Sequence, residues 1–257
     1  MKKIVYFLMM ALMVCGAVSC KKDKLLHKIP KEAVDMGIVM TREDGTTYKL
    51  YWAKSNLCES GLCANPEDYG DYYAWGDPEP YYTKGHSQDN PCNSWRNGKT
   101  GYVWESYRFR TSGDSWDNVK FSKYNTKDTY GQVDNKTVLD PSDDAAHAKL
   151  GGKWRMPTDV EWAALLDQCI TWERTTINGI NGCLETAANG NSIFLPAAGC
   201  RDEDRGRDMG SGGFYWSSSL NTNNPSEAYD IYFYSDRLWR NDYSRCFGRS
   251  IRPVWEE

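Results

Sequence analysis

Between Asn65 and Gln132 the chain is rich in Tyr, Trp, Gly, Asp and Asn and has almost no aliphatic periodicity. Without apolar residues spaced at 3.6 or 2, such a stretch offers neither a helix face nor a half-buried strand. It must form long loops ordered mainly by aromatic packing, so the regular scaffold has to come from the flanking segments. On the N-terminal side, GIVMTREDGTTYKLYWA (37–53) carries β-type residues around Asp44-Gly45, a hairpin signal. In its second arm Tyr48, Leu50 and Trp52 alternate and should share one face.

The C-terminal side supplies two helix signals. LDPSDDAAHAKLGG (139–152) offers Asp140 as N-cap, Pro141 in the first turn, Asp143 and Asp144 near the positive end of the dipole, and Gly151 as a stop. MPTDVEWAALLDQC (156–169) is stronger: Thr158 and Glu161 have capping-box spacing, and Trp162, Leu165, Leu166 and Cys169 form one apolar stripe. Short strand-like runs follow in NSIFLPAAG, GFYWSSS, EAYDIYFYS and RSIRPV. The expected class is α+β, with two short helices, an irregular twisted antiparallel sheet and long loops.

Residues 1–19 read as an export signal: Lys2 and Lys3, an apolar run from Ile4 to Val14 too short to cross a bilayer, then Gly16-Ala17-Val18-Ser19. Cys20 follows directly, and the junction resembles the lipobox of bacterial lipoproteins, with Ala17 where leucine is usual; an ordinary cleaved signal with an incidental Cys20 is the alternative. The lipobox reading makes Cys20 the lipidation site. Lys21-Lys22-Asp23-Lys24 resembles the charged surface-export tag of some Bacteroidetes lipoproteins. The resulting expectation is an outer-membrane lipoprotein, surface-exposed and held to the membrane through its lipid anchor only. The domain organisation is then signal 1–19, lipidated tether and start of the first hairpin 20–45, and one domain over 46–257.

Loss of the signal leaves 29 basic against 35 acidic residues, a net charge of −6, which does not suit a nucleic-acid partner. Beyond Cys15 and Cys20, seven cysteines remain, an odd number whose pairing the sequence leaves open. No CxxC occurs and the histidines (His27, His86, His147) are scattered, so no zinc site is expected.

The segments PEDYGDYYAWGDPEP (66–80), 138–172, NGNSIFLPAAGCR (189–201), FYWSSSL (214–220) and GRSIRPV (248–254) together resemble the Fibrobacter major paralogous domain family of Bacteroidetes surface lipoproteins. That family in turn is similar to the C-type lectin-like superfamily, which includes formylglycine-generating-enzyme domains. Arg155, Pro157, Thr158, Glu161 and Trp162 match its R-x-P-T-x-x-E-W helix start. The resemblance implies a C-type lectin-like fold, with N- and C-terminal strands paired at the base, long loops at the other end, and a structural role for Arg252-Pro253. Cys183 and Cys200 stand where aromatic residues are common, and Cys58 and Cys63 bracket an extra loop, so new disulfides are open possibilities.

Catalysis is not expected. The cysteine pair and GNVWEW-like stretch of the formylglycine-generating relatives are missing, and Ser217–Ser219 have no adjacent base in the sequence. Asp143-Asp144 and Glu203-Asp204 read as caps or solvated faces rather than a glycosidase pair. For calcium, WRND (239–242) only approximates the lectin W-N-D tripeptide, and the three arginines of RDEDRGRD (201–208) would neutralise its carboxylates, so the expectation is a salt-bridged loop, no metal and no cofactor.

The final segment, RLWRNDYSRCFGRSIRPV (237–254), is unusually cationic and aromatic for an acidic chain. If EAYDIYFYSD is a strand, Ile231 and Phe233 face the core while Asp230, Tyr232 and Tyr234 point the other way. Together with Trp239, Asn241, Asp242 and Tyr243 they have the composition of a ligand-binding face; packing against the aromatic loops is the alternative. In related lectin-like domains diversified by retroelements, the variable segment lies just before a comparable S-V-R-P-V end, a place occupied here by 239–246. The expected function is a non-catalytic cell-surface module binding an extracellular glycan or protein. The alternatives are a structural component of an envelope or adhesive complex and, third, an enzyme of the formylglycine-generating type.

Overall fold

The computed structural model describes residues 28–234 and 238–257; the signal 1–19, Cys20 and Arg237 lie outside the described residues. The Asp44-Gly45 hairpin forms, joining β1 (Ala33–Thr41) to β2 (Thr47–Ala53). Asp44 Oδ1 accepts from the main-chain N and the hydroxyl of Thr46 at 2.9 and 2.6 Å, which holds the turn. β1 starts inside the segment read as tether, with a register slip between Asp35 and Ile38. Leu50 and Trp52 are fully buried with Tyr48 beside them, whereas Tyr51 and Ala53 enter a separate cluster with Trp154 and Trp255 on the other face.

Next come two minimal strands, β3 (Leu57–Cys58) and β4 (Gly61–Leu62), stapled by a Cys58–Cys63 disulfide. The aromatic region then holds only a short ladder of β5 (Arg110–Ser112) with β6 (Lys120–Phe121) among its described strands. Its order comes from rings: Tyr72, Tyr73, Trp75, Tyr81, Tyr82, Tyr102, Tyr107 and Phe121 are buried in the largest cluster. Buried Tyr and Trp need partners for their polar tips, and for Tyr72, Trp75, Tyr102, Tyr107 and Trp216 main-chain carbonyls provide them, whereas the Tyr73 hydroxyl has none among the described residues. Tyr72, Tyr102 and Tyr107 donate to the carbonyls of Ala198, Tyr72 and Trp75, and the Trp75 and Trp216 indoles to those of Ser217 and Tyr73. The same side chains thus fill the core and satisfy its backbone.

Helix α1 (Ala145–Leu150) is shorter than expected, because its cap is Asp144 rather than Asp140. Asp140 is held by Lys123 and Lys136, while Asp144 accepts from the main-chain N of His147 (3.0 Å) and of Met156 (2.8 Å). The short strand β7 (Trp154–Arg155) leads into α2 (Asp159–Gln168), whose capping box between Thr158 and Glu161 is complete. Glu161 is fully buried, yet its carboxylate receives Arg155, the Tyr48 hydroxyl and the Thr158 N–H. Burial opposes its ionisation, but these donors prevail and hold its carboxyl below the usual range. Trp162 and Leu165 are buried, but Cys169 is not helical: it ends α2 and opens the next strand. Because Thr158 satisfies an otherwise orphaned N–H, Thr158→Ala should cost about 1–2 kcal/mol of unfolding free energy in urea titration.

β8 (Cys169–Ile177), β9 (Ile180–Ala187) and β10 (Ser192–Pro196) form one antiparallel sheet. The β8–β9 turn is Asn178-Gly179, both at positive φ (50° and 84°), as a two-residue hairpin requires. Residues 200–207 fold as a hairpin of β11 (Cys200–Asp202) and β12 (Arg205–Arg207) with an Asp202–Arg207 ion pair at 2.7 Å. β13 (Gly213–Leu220), β14 (Glu227–Phe233) and β15 (Leu238–Ser244) make a three-stranded antiparallel sheet. Last, β16 (Val254–Glu256) inserts between β2 and β7, pairing Val254 with Trp52 and with Arg155. The architecture is α+β, with antiparallel strands distributed over several small sheets.

Candidate functional site

Strand alternation sorts the β13–β14–β15 sheet into two faces. In register, Tyr229, Ile231 and Phe233 sit opposite Asp242, Arg240 and Leu238, and Ile231 and Phe233 are buried in the core. Ala228, Asp230 and Tyr232 sit opposite Tyr243, Asn241 and Trp239, with Phe214 and Trp216 of β13 alongside on this outer face. The expected orientation of Ile231 and Phe233 against Asp230 and Tyr232 is therefore present. Asp242 is not on that face. It accepts from Asn221 Nδ2 at 2.9 Å on the opposite side, beside Glu227, whose carboxyl burial and the nearby Asp242 push up to about 7.

The outer face is half covered. At the Trp216 end the aromatic loops close over it, and Asp230 is buried beneath Arg249, with Nη1 2.7 Å from Oδ2. This ion pair lacks hydrogen-bond alignment: both Asp230 oxygens and Arg249 Nε and Nη1 have no partner of hydrogen-bond geometry among the described residues. Burial pushes the Asp230 carboxyl up to about 6, with Arg249 and Asn241 pulling it down and Asp242 adding to the rise. The guanidinium of Arg249 is enclosed by rings, its carbon 5.1, 4.9 and 4.7 Å from the centroids of Phe214, Trp216 and Tyr243.

At the other end the face opens into a cavity of about 520 Å³. Of the residues anticipated as binding, Tyr232, Tyr234, Asn241 and Tyr243 line it. Trp239 lies across from Tyr232, 47 % exposed, just outside the lining. Tyr232 stacks on Phe214 (6.0 Å, 17°), Tyr234 meets both edge-on, and Tyr243 packs with Phe247 at 5.0 Å. The Tyr234 hydroxyl donates to Asp208 at 2.8 Å.

Arg249, Phe214, Phe247, Asp202, Arg207 and Asp208 also line the cavity and were not anticipated there. Phe214 carried a signal, since a strand at 213–219 was legible and its face follows from alternation. Asp202 and Asp208 did not, because their approach depends on a long-range contact. Gly199 (φ 66°) passes so close that a Cβ there would stand 2.2 Å from the Arg207 carbonyl oxygen, which brings the β11–β12 hairpin up to the sheet. Cys200, buried at the cavity's edge, is a thiol that burial pushes up to about 11, a poor nucleophile at neutral pH. Ser217 and Ser218 donate to the carbonyls of Tyr229 and Pro157.

The other described arginines of the C-terminal cationic segment hold the fold together. Arg252 is fully buried and donates to Asn56 Oδ1 (2.9 Å) and to the carbonyls of Ala53 (3.0 Å) and Phe194 (2.7 Å). Arg245 is likewise buried and makes four hydrogen bonds, and Arg240 pairs with Asp159 at the start of α2. No family model, curated protein or solved structure matches the chain.

Proposed function

We propose that the protein is a non-catalytic recognition module of the cell surface that binds an extracellular glycan or protein through the open half of the β13–β14–β15 outer face. The observation that carries this reading is the cavity itself. Tyr232, Tyr234 and Tyr243 present rigid rings with polar tips around a concave space, beside an Asn and a guanidinium able to direct hydrogen bonds. We take the chain to be a C-type lectin-like domain of the Fibrobacter major paralogous kind. The pairing of β2 with β16 near the two ends of the domain, and the Arg155–Glu161 lock at the helix start, support that assignment. Acylation at Cys20 would tie it to the outer membrane.

The test is a glycan and extracellular-protein array probed with the full chain and with the triple variant Trp239→Ala, Tyr232→Ala, Tyr243→Ala. Binding should vanish in the variant while its circular dichroism and thermal unfolding stay close to wild type. A ligand held equally well by the folded variant would place recognition elsewhere.

A further inference from the structure

The cavity's charges are already committed. Asp202 is paired with Arg207 at 2.7 Å, Asp208 accepts the Tyr234 hydroxyl at 2.8 Å, and Arg249 is matched by Asp230 from beneath at 2.7 Å. Three carboxylates face two guanidiniums, so the local balance is slightly negative. An anionic ligand would compete with Asp230 for Arg249 while approaching Asp202 and Asp208. The Coulomb term opposes it. A cationic ligand is opposed differently. To form an ion pair of its own it would have to displace Arg207 from Asp202 or the Tyr234 hydroxyl from Asp208.

An uncharged polyhydroxylated ring meets neither objection. Each hydroxyl can donate and accept, so it can give to Asp202 or Asn241 Oδ1 and take from Arg207 or Asn241 Nδ2. Arg249 is 2 % exposed, with Nε and Nη1 enclosed and Nη1 paired with Asp230, so the donors a hydroxyl can reach are those of the exposed Arg207 and of Asn241. The apolar C–H face of a pyranose matches the Tyr232–Phe214 and Tyr243–Phe247 ring pairs, and the volume of about 520 Å³ suits an oligosaccharide end.

From this, resting on the recognition reading above, we infer that the cavity binds a neutral saccharide directly, with Tyr232 and Tyr243 as stacking platforms and Asp208 as the rim charge that discriminates against acidic sugars. The binding needs no metal bridge, because the donors and acceptors are supplied by side chains.

The experiment is calorimetric titration of the full chain, with EDTA present, against length-matched oligosaccharides of three kinds: neutral hexose or N-acetylhexosamine, uronate-containing, and de-N-acetylated. Neutral oligosaccharides should bind most tightly. Tyr232→Ala and Tyr243→Ala should each weaken them about tenfold, the order of a lost aromatic contact. Asp208→Asn, a substitution suited to the left-handed backbone at that residue (φ 58°), should raise the ratio of uronate to neutral affinity several-fold. Tighter binding of uronates or amino sugars, or neutral binding indifferent to both tyrosine variants, would overturn the inference. Saccharides failing throughout, while a protein ligand on the array is lost with Tyr243→Ala, would overturn the neutral-sugar assignment and leave the recognition face standing. Failure of every ligand class at this face would overturn both.

Discussion

Replacing Arg245 by methionine should lower the unfolding free energy by about 3–4 kcal/mol. Methionine keeps most of the aliphatic stem, so the loss isolates the guanidinium. That group is fully buried and has no carboxylate partner within ion-pair distance among the described residues. Instead it donates to the carbonyls of Tyr124 (2.7 Å), Pro225 (2.9 Å) and Lys123 (3.3 Å) and to the Tyr107 hydroxyl (2.9 Å). The rings of Trp75, Tyr107 and Phe121 surround it, with the nearest centroid at 4.0 Å. Burial lowers its pKa, which is the electrostatic cost of placing a cation there, and Tyr107 offsets part of it. Removing the fork orphans acceptors from three separate loops at once, each worth about 1–3 kcal/mol when left unsatisfied. Urea unfolding monitored by tryptophan fluorescence measures the difference. A variant as stable as wild type would mean that the aromatic loops are ordered without this clamp.

The second large effect is a pH dependence opposite to that of most carboxylates. Glu185 of β9 is 1 % exposed, sits between Trp172 and Ile193 in register, and has Oε1 without a hydrogen-bond partner among the described residues. Burial pushes its carboxyl from 4.5 up to about 8, with Cys169 pulling slightly the other way. Since the folded pKa lies above the unfolded one, the folded state holds a proton that the unfolded chain releases. The stabilisation is therefore complete below about pH 4.5 and is lost as pH rises to about 8, by about 1.4 kcal/mol per pH unit. Glu185→Gln cannot titrate and should lack this slope. Between about pH 5 and 7.5 the stability of wild type relative to the variant should fall by about 3 kcal/mol. Glu227 and Asp230, raised to about 7 and about 6, titrate in the same window but are common to both proteins and cancel in the difference. Parallel stability curves for the two proteins would show that Glu185 is ionised throughout.

The parts of the fold that could be read in advance are those where the signal is local. The Asp44-Gly45 turn, the Thr158–Glu161 capping box and the alternation of EAYDIYFYS each depend on a few neighbouring residues. Asn178-Gly179 is an equally local hairpin signal between two β-rich arms, and it was not among the turns anticipated from the sequence. Errors arose where neighbours compete. Asp140 and Asp144 are both acceptable N-caps, and the choice fell to Asp144 because Lys123 and Lys136, distant or loop-borne, already hold Asp140. Cys169 fits the helical stripe at i+7, but pairing of β8 with β9 ends the helix before it.

The same division runs through the candidate site. Alternation alone places Asp230 and Tyr232 on one face and Ile231 on the other, and it also would put Asn241 and Asp242 on opposite faces once residues 238–244 are known to be a strand. What the face does next is not a property of alternation. Asp230 is buried and Tyr234 is 48 % exposed because a loop bearing Arg249 crosses one half of the sheet and the β11–β12 hairpin borders the other. Even the cationic tail divides this way: Arg245 and Arg252 found main-chain carbonyls, while Arg249 met the Asp230 carboxylate inside a cage of rings.

Sequence by itself determined the class of the fold, the two helix-forming segments, the hairpin turn and the aromatic nature of the core, because each is set by short-range sterics and by the periodicity of burial. Tertiary structure alone decided which aromatic rings remained open to solvent, which arginines became clamps and which acids were stripped of water. Those outcomes depend on long-range packing between segments far apart in the chain, where the desolvation of a charge, rather than its identity, sets its role.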